Sequence, residues 1–426
     1  MKYKTTFNEK LLQGAVRKAQ SAGREANKII HAVRQAPSAK RLPGRRDFLK
    51  KLVIAGIGSG VLPVIEKAFD LFNVGQAFGM AFASPLRRAP VRAEYFNNVE
   101  NSKDVQCTLC PHHERLSPGE WGKCRIRKNS NGTLLTYGYG QPCILNIDPI
   151  GKNPLANFSP GIDILSIAHA GCNLRCLYCQ NWEFSQKSPV QTRNISPIDP
   201  GHLVRKMKTK NLKGIGFTYT EPACCPEFVK EFASFCRDYG LKTTICTAGY
   251  IREKPFRDLL KEFDAVTITF KGNSDRFYRE VTGSSLTPVL RSMEMVKSEG
   301  KWLEVATLVV PGLNDSDDTL KGIARWIRSH LGEDTPWHVE KFNPQFKLQK
   351  LPPTPQKTME RARQNGLDAG LKYVYTSNIA PHAGNHTYCH HCGKAIVKRM
   401  GFKVLENLVN SGKCPYCSTK IPGVWS

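Results

Sequence analysis

Three cysteines lie within eight residues of one another, at Cys172, Cys176 and Cys179, in the segment GCNLRCLYCQNW. This C-x3-C-x2-C spacing directly follows an apolar segment of the kind that forms a strand. Three thiolates can bind three irons of a cubane iron–sulfur cluster and leave the fourth iron without a protein ligand. A substrate or cofactor can bind at such an open metal position. The alternatives are a zinc site completed by a distant residue, or core thiols that bind no metal.

Two cysteine pairs near the end of the chain have the spacing of a zinc ribbon, Cys389-x2-Cys392 and Cys414-x2-Cys417. Four thiolates close a tetrahedral structural zinc site. Zinc binding of about 10–16 kcal/mol would stabilise a short module that has little core of its own. Rubredoxin-like iron is one alternative, and disulfides are another if the protein folds outside the cytoplasm.

A third cysteine group comes earlier in the chain and consists of Cys107, Cys110 and Cys124. Three nearby side chains carry atoms that could complete a site with these thiols: His112, His113 and Glu114. The group predicts a second metal site, for zinc or for another cluster. A remnant site without metal is the alternative.

Cysteine usage is heavy, with fifteen cysteines in 426 residues. Most of them fall in closely spaced groups, which favours metal binding over disulfides. Five others are scattered, and we expect them to be buried structural thiols: Cys143, Cys224, Cys225, Cys236 and Cys246.

The chain is strongly basic, with a formal net charge of +26 and a pI near 9.6. Much of the excess lies in the first 51 residues, which hold fourteen lysines and arginines but only three acidic residues. A basic surface can face nucleic acid, an anionic membrane, an acidic substrate or only solvent. Because no nucleic-acid-reading signature accompanies the charge, nucleic acid is not expected as a partner.

The N-terminal region resembles a twin-arginine export signal. Arg45 and Arg46 precede Phe48-Leu49-Lys50, and the apolar stretch 52–65 is too short to span a bilayer as a helix. Small residues at Ala81 and Ala83 offer a cleavage site. The pattern predicts export, with a periplasmic or membrane-associated location. The alternative is a basic amphipathic helix on a cytoplasmic protein, docked on its body or on a membrane surface.

Beyond residue 160, strand-like and helix-like segments alternate. The strand candidates are Ile162–Ala168, Gly214–Tyr219, Lys242–Thr247, Ala265–Phe270, Leu303–Val310, Trp337–Lys341 and Tyr373–Tyr375. Apolar residues at helical spacing occur at 286–296 and 320–327. The alternation predicts an α/β fold with a parallel sheet closed or partly closed into a TIM-like (β/α) barrel.

The changes in composition divide the chain into four parts. We expect a basic extension at 1–92, a cysteine-containing module at 93–160, the barrel at 161–385 and the zinc ribbon at 386–426.

The cysteine motif after the first barrel strand resembles that of the radical S-adenosylmethionine (SAM) superfamily. Further segments narrow the resemblance to the radical SAM enzyme of the AmmeMemoRadiSam system, which is related to pyruvate formate-lyase activating enzymes. These segments are YTEP at 219–222, VVPGLNDS at 309–316, LKYVYTSN at 371–378 and CPYCSTKIPGVW at 414–425. The resemblance extends from about residue 93 to the end of the chain.

The resemblance implies a [4Fe-4S] cluster whose open iron binds SAM. It implies reductive cleavage of SAM to methionine and a 5′-deoxyadenosyl radical, which abstracts hydrogen from an unknown substrate, such as a protein of the same system. By the same comparison, Tyr178 would border the adenine, Thr220 and Glu221 would meet the SAM amino group, and Lys271 would reach its carboxylate. A low-potential electron donor is implied as a partner. The alternative for Lys271 is an exposed lysine at a strand end.

The chain departs from the family pattern at three places: Ala248-Gly249, Thr269-Phe270 and Asn343. These exchanges support an alternative function, a non-catalytic iron–sulfur and zinc protein for electron transfer or binding, with a degenerate SAM site. A zinc-ribbon binder of nucleic acid is a third hypothesis, which only the charge favours.

Overall fold

The computed structural model describes residues 90–193 and 212–425, together with Ile195, Leu203 and Met207. Nearly all of the expected basic extension therefore lies outside the described residues. The same holds for the twin-arginine pair Arg45 and Arg46, the apolar stretch 52–65 and the cleavage candidate at 81–83.

The N-terminal module contains six short strands: β1 (Val91–Arg92), β2 (Phe96–Asn98), β3 (Val105–Cys107), β4 (Arg115–Leu116), β5 (Arg127–Ser130) and β6 (Thr133–Thr136). They form two antiparallel sheets, in the orders β1-β6-β5 and β2-β3-β4. Asn131 and Gly132 connect β5 to β6, with φ of 51° and 94°. Two left-handed residues in a two-residue loop match the twist of the strands, and Asn-Gly is the usual sequence for such a turn.

The central sheet has eight strands: β7 (Pro142–Pro149), β8 (Asp163–His169), β9 (Gly214–Phe217), β10 (Lys242–Thr247), β11 (Ala265–Thr269), β12 (Trp302–Val309), β13 (Trp337–Lys341) and β14 (Val374–Ser377). Strands β8 to β14 are parallel and lie in chain order, and β7 pairs antiparallel with β8. All seven predicted strands and the parallel sheet are confirmed. Strand β7 was not predicted, and within the described residues the sheet is open, with β7 and β14 at its edges.

Helices connect the parallel strands: α1 (Trp182–Ser185), α2 (Pro226–Asp238), α3 (Glu253–Leu260), α4 (Asp275–Phe277), α5 (Thr287–Ser298), α6 (Asp317–Leu331) and α7 (Gln356–Asp368). The two helices predicted from apolar spacing are α5 and α6, and their periodic residues Val289, Met293, Ile323 and Ile327 are fully buried. Ser316 caps α6 by accepting the Thr319 N–H at 3.3 Å. None of the described helices has the length and apolar character needed to span a membrane.

The C-terminal module has three antiparallel strands, β15 (Thr387–Tyr388), β16 (Ala395–Met400) and β17 (Lys403–Asn407). The chain then returns to the loop before β8. There the Val424 N–H donates to the Asn157 carbonyl at 2.7 Å, and the Ser159 N–H donates to the Val424 carbonyl at 2.6 Å. The buried Arg399 guanidinium donates to the Ala156 carbonyl at 2.8 Å. These contacts attach the C-terminal module to the central sheet.

Candidate active site

The loop that carries Cys172, Cys176 and Cys179 follows β8 and packs against the N-terminal module. Gly171 precedes it with φ of 96°, and a Cβ there would lie 2.5 Å from the Cys124 carbonyl oxygen, so only glycine fits. The Cys172 N–H donates to that carbonyl at 3.1 Å. The three cysteines line a single cavity of about 410 Å³.

The other predicted cofactor-binding residues, Tyr178, Thr220, Glu221 and Lys271, line the same cavity. They come from the cysteine loop and from the segments that follow β9 and β11. In α/β barrels, active sites lie at the carboxyl ends of the parallel strands, where these segments meet. The structure therefore brings together every residue that the resemblance assigned to the SAM site.

Glu221 is a buried carboxylate whose position is fixed by three hydrogen bonds. It accepts from the Thr247 hydroxyl at 2.6 Å, the Ala248 N–H at 2.8 Å and the Ala223 N–H at 3.1 Å. Burial raises the pKa of Glu221, while these three donors oppose the rise. Because Ala248 donates through its backbone N–H, the departure from the family pattern at this position leaves the hydrogen bond to Glu221 intact.

Thr220 and Tyr178 each carry a hydroxyl, and the two differ in their hydrogen bonding. The Thr220 hydroxyl donates to the His169 carbonyl at 2.6 Å. The Tyr178 hydroxyl is buried and has no hydrogen-bond partner among the described residues. An unsatisfied buried hydroxyl costs about 1–3 kcal/mol, and a polar ligand can supply the missing partner.

Lys271 points into the cavity and is not an exposed lysine at a strand end. Its ammonium donates to the Thr269 hydroxyl at 2.8 Å, and the Asn314 side chain holds its carbonyl at 2.8 Å. Burial raises the pKa of the Cys176 thiol to about 11, and the Lys271 charge opposes this rise. The site therefore places a cation beside a cluster-ligand candidate.

Two cavity residues were missed at the sequence level, Cys246 near the end of β10 and Glu340 near the end of β13. Cys246 was expected to be a structural thiol, but its side chain lines the cavity. Burial raises its pKa to about 12, and the Glu340 carboxylate adds to the rise. Burial also raises the pKa of Glu340, opposed by His338 and Lys271.

The four C-terminal cysteines form a compact group. The Sγ atoms of Cys389 and Cys417 are 3.6 Å apart, and those of Cys392 and Cys414 are 3.7 Å apart. All four ligand atoms lie within 4.8 Å of one another. Hydrogen bonds with Thr419 lower the pKa of Cys417 to about 6. Four thiols at this separation suit a single tetrahedral ion.

The third cysteine group, Cys107, Cys110 and Cys124, is buried between the N-terminal module and the cysteine loop. Two of the three side chains suggested as its fourth ligand have hydrogen-bond partners. His112 Nε2 forms a hydrogen bond with the Asn173 carbonyl at 2.8 Å, and Glu114 accepts the Lys123 N–H at 3.0 Å. The His113 backbone N–H donates to the Cys110 carbonyl at 3.1 Å, and the His113 side chain is exposed.

Comparison with known proteins gives the same result as the geometry. Residues 166–327 match the radical SAM superfamily. The chain is 40% identical over 333 residues to the uncharacterized protein MJ0808 of Methanocaldococcus jannaschii. The alignment covers 77% of this chain and 98% of that protein. The chain belongs to the radical SAM superfamily. The protein is accordingly a radical SAM enzyme, and iron–sulfur and SAM chemistry are those of its family.

Two further similarities cover about half of the chain. The chain is 26% identical to the pyruvate formate-lyase-activating enzyme of Clostridium pasteurianum, over 50% of this chain and 91% of that enzyme. A solved structure of Streptococcus suis SuiB, bound to its precursor peptide SuiA, matches with a TM-score of 0.42 and 14% identity. It covers 54% of this chain and 51% of that chain.

Proposed function

We propose that Cys172, Cys176 and Cys179 bind a [4Fe-4S] cluster through three irons and that SAM binds at the fourth. When bound and reduced, the cluster would supply the electron that cleaves SAM to methionine and a 5′-deoxyadenosyl radical, which would abstract hydrogen from the substrate. The observation that carries the proposal is that the three thiols share one cavity with Tyr178 and with the segments after β9 and β11.

The residues of the cavity fit these groups. Thiolates are the usual ligands of iron–sulfur clusters, and iron binding removes the thiol proton that burial otherwise retains. The Tyr178 hydroxyl lacks a partner among the described residues, so a polar group of the cofactor can satisfy it. The Lys271 ammonium suits a carboxylate and the Glu221 carboxylate suits an ammonium, which are the two charged ends of an amino acid.

The chain itself contributes the positions of its charged groups. Three hydrogen bonds fix the position of the Glu221 carboxylate before a ligand binds. The bond to Thr269 does the same for the Lys271 ammonium. Preorganised groups lose little conformational entropy on binding. Glu221 is buried, and a low dielectric strengthens the interactions of a buried charge.

The test is anaerobic reconstitution followed by reduction and a search for 5′-deoxyadenosine. We expect the unaltered protein to bind about four irons more than Cys176→Ala, and to form 5′-deoxyadenosine, which Cys176→Ala should not. Cys236→Ala is the matched control, because Cys236 is a fully buried thiol of α2 outside the cavity. A protein that binds the cluster but neither binds nor cleaves SAM would contradict the proposal and support the non-catalytic alternative.

For the C-terminal module we propose zinc as the bound metal. The short distances between its four sulfurs support a single ion, and the small three-stranded sheet has few buried apolar residues of its own. Metal analysis should find about one zinc per chain. Iron with a rubredoxin-type spectrum in place of zinc would contradict this assignment.

We propose that the substrate is a protein of the same system, that a low-potential donor supplies the electron, and that nucleic acid is not a partner. The resemblance to the AmmeMemoRadiSam system supports a protein partner. A crosslinking experiment with photoreactive groups beside the cavity mouth would test this. Retention of nucleic acid at low salt would contradict the last part.

We further propose export through the twin-arginine route, supported by Arg45, Arg46 and the short apolar stretch that follows them. Fractionation of cells should place the unaltered protein outside the cytoplasm and the Arg45→Lys, Arg46→Lys variant inside it. A cytoplasmic location of both proteins would contradict the proposal.

A further inference from the structure

Two guanidinium groups meet at one carbonyl oxygen beside the active-site loop. Arg125 Nη1 donates to the Lys123 carbonyl at 3.5 Å, and Arg175 Nη2 donates to the same oxygen. Lys123 is exposed, and both arginines are partly exposed. We call Lys123, Arg125 and Arg175 the basic surface. It combines two residues of the N-terminal module with one residue of the active-site loop.

No acidic side chain pairs with the basic surface in the part of the chain that the structure describes. The arginines that form ion pairs with acids there are Arg115, Arg127, Arg237, Arg257, Arg276 and Arg361. Glu114 is close to Lys123, but its carboxylate accepts the Lys123 backbone N–H at 3.0 Å. Cations held close together repel one another, and an anion that binds beside them relieves the repulsion. The basic surface is therefore suited to an anionic partner.

The basic surface contacts the backbone of the first cluster-ligand candidate. Arg175 Nη1 donates to the Cys172 carbonyl at 3.0 Å and to the Leu174 carbonyl at 2.8 Å. Cys172 in turn donates its N–H at 3.1 Å to the carbonyl of Cys124, which lies in sequence between the two other residues of the basic surface. One hydrogen bond therefore separates a partly exposed guanidinium from a residue that offers a thiolate to the cluster.

The basic surface is separate from the active-site cavity. None of its three residues is among those that line the cavity, whereas Cys172, Cys176 and Cys179 all are. A substrate must reach the cavity, because the radical would form there. A partner on the basic surface would instead contact the side chains that hold the backbone of the active-site loop. The surface is therefore placed to pass an electron to the loop and not to present a substrate.

We propose that the basic surface docks the low-potential electron donor, and that this donor is an acidic redox protein. The inference rests on the proposed function, in which the bound cluster must be reduced. The donor would lose one electron and the cluster would gain it, without transfer of a proton or formation of a bond. Arginine can pair with a carboxylate through two parallel hydrogen bonds, so acidic side chains of the donor suit Arg125 and Arg175.

A transient complex between redox partners depends strongly on charge. Such partners bury little surface, commonly less than about 1,200 Å². Complementary charges raise the association rate by about 10- to 1,000-fold at low salt, and high salt removes most of this gain. The net charge of +26 on the whole chain also favours an acidic partner. Electron transfer should therefore depend on the cations of the basic surface and on ionic strength.

The experiment measures donor binding and cluster reduction in the reconstituted full chain without SAM. An acidic plant-type ferredoxin and an acidic flavodoxin are the probes, and stopped-flow absorbance follows the cluster. At an ionic strength of about 10 mM, these donors should reduce the Lys123→Gln, Arg125→Gln variant about tenfold more slowly than the unaltered protein. Calorimetric titration with the oxidised donors should give a Kd about tenfold higher for the variant. Both differences should disappear at about 1 M salt, where the screening length is about 3 Å.

The Lys321→Gln, Lys357→Gln variant is the matched control, because it removes two exposed cations on α6 and α7. It should behave as the unaltered protein does. Reduction by a photoreduced deazaflavin, which is small and uncharged, should proceed at the same rate in all three proteins. Iron content and 5′-deoxyadenosine formation test the proposed function separately, since donor binding requires neither SAM nor its cleavage.

Three results would overturn the inference. The first is that neither donor binds the unaltered protein, or that both bind and reduce it and the Lys123→Gln, Arg125→Gln variant equally. The second is an equal slowing with deazaflavin, which would show that the cations act only on the cluster itself. The third is a short DNA duplex that excludes the donors and depends on the same cations, which would assign the surface to nucleic acid.

Discussion

Replacing His169 tests the electrostatic description of the sheet end beside the active site. His169 ends β8, is 1% exposed, and packs edge-on against Phe228 with ring centroids 4.9 Å apart. Neither of its ring nitrogens has a hydrogen-bond partner among the described residues. Burial lowers the pKa of His169 from its ordinary value of 6.5 to about 4. The folded protein therefore holds this imidazole neutral at pH values where the unfolded chain protonates it.

The sign and size of the effect follow from linkage. Because the folded-state pKa is lowered, the stability associated with neutral His169 is complete above pH 6.5 and is lost as the pH falls towards 4. With 1.36 kcal/mol for each pKa unit, protonation of the unfolded chain costs about 2 kcal/mol of folding stability at pH 5 and about 3 kcal/mol at pH 4. His169→Phe removes this titration and keeps a ring against Phe228.

Urea unfolding at pH 8 and pH 5, followed by circular dichroism under anaerobic conditions, measures the effect. The free energy of unfolding of His169→Phe, relative to the unaltered protein, should rise by about 2 kcal/mol between pH 8 and pH 5. Phe232→Leu is the control, because it changes a fully buried aromatic residue that does not titrate, and its relative stability should be the same at both pH values. Parallel pH dependences for His169→Phe and the unaltered protein would refute the reasoning.

Three further substitutions have defined outcomes. Glu227→Ala leaves the buried guanidinium of Arg127 without its carboxylate and should lower the free energy of unfolding by about 3–5 kcal/mol, whereas Arg115→Ala at an exposed ion pair should cost at most about 1 kcal/mol in the same urea titration. Cys414→Ala should abolish zinc binding and make the C-terminal module sensitive to protease, and retained zinc would contradict the four-sulfur site. Gly171→Ala should destabilise the protein by more than about 1 kcal/mol and lower its iron content, since the added Cβ meets the backbone of the N-terminal module; unchanged iron loading would be inconsistent with that close approach.

The sequence was most informative where a local pattern determines the structure. The parallel strands are short apolar runs with turn residues at both ends, and α5 and α6 have apolar residues at helical spacing, so each could be predicted from its own segment. Strand β7 could not, because it begins and ends with proline and pairs as an edge strand. The short strands of the N-terminal module depend mainly on their partners, which a single segment does not reveal.

In the candidate site, too, some residues could be predicted from the sequence and others could not. The spacing of Cys172, Cys176 and Cys179 predicted a ligand set, and the resemblance supplied the other candidates for cofactor binding. The structure places all of them around one cavity. Cys246 was missed because β10 is buried on both faces and lacks the alternation that would show which side chains face the cavity.

The close approach of Gly171 to the Cys124 carbonyl limits how this protein can be divided. A fragment confined to the sheet and its helices would keep all three cysteines of the active-site loop but would lose the surface on which that loop rests. The sequences of the N-terminal module and of the active-site loop are therefore expected to change together. In any shuffling of this module between relatives, the replacement would need to offer a backbone carbonyl at the same point.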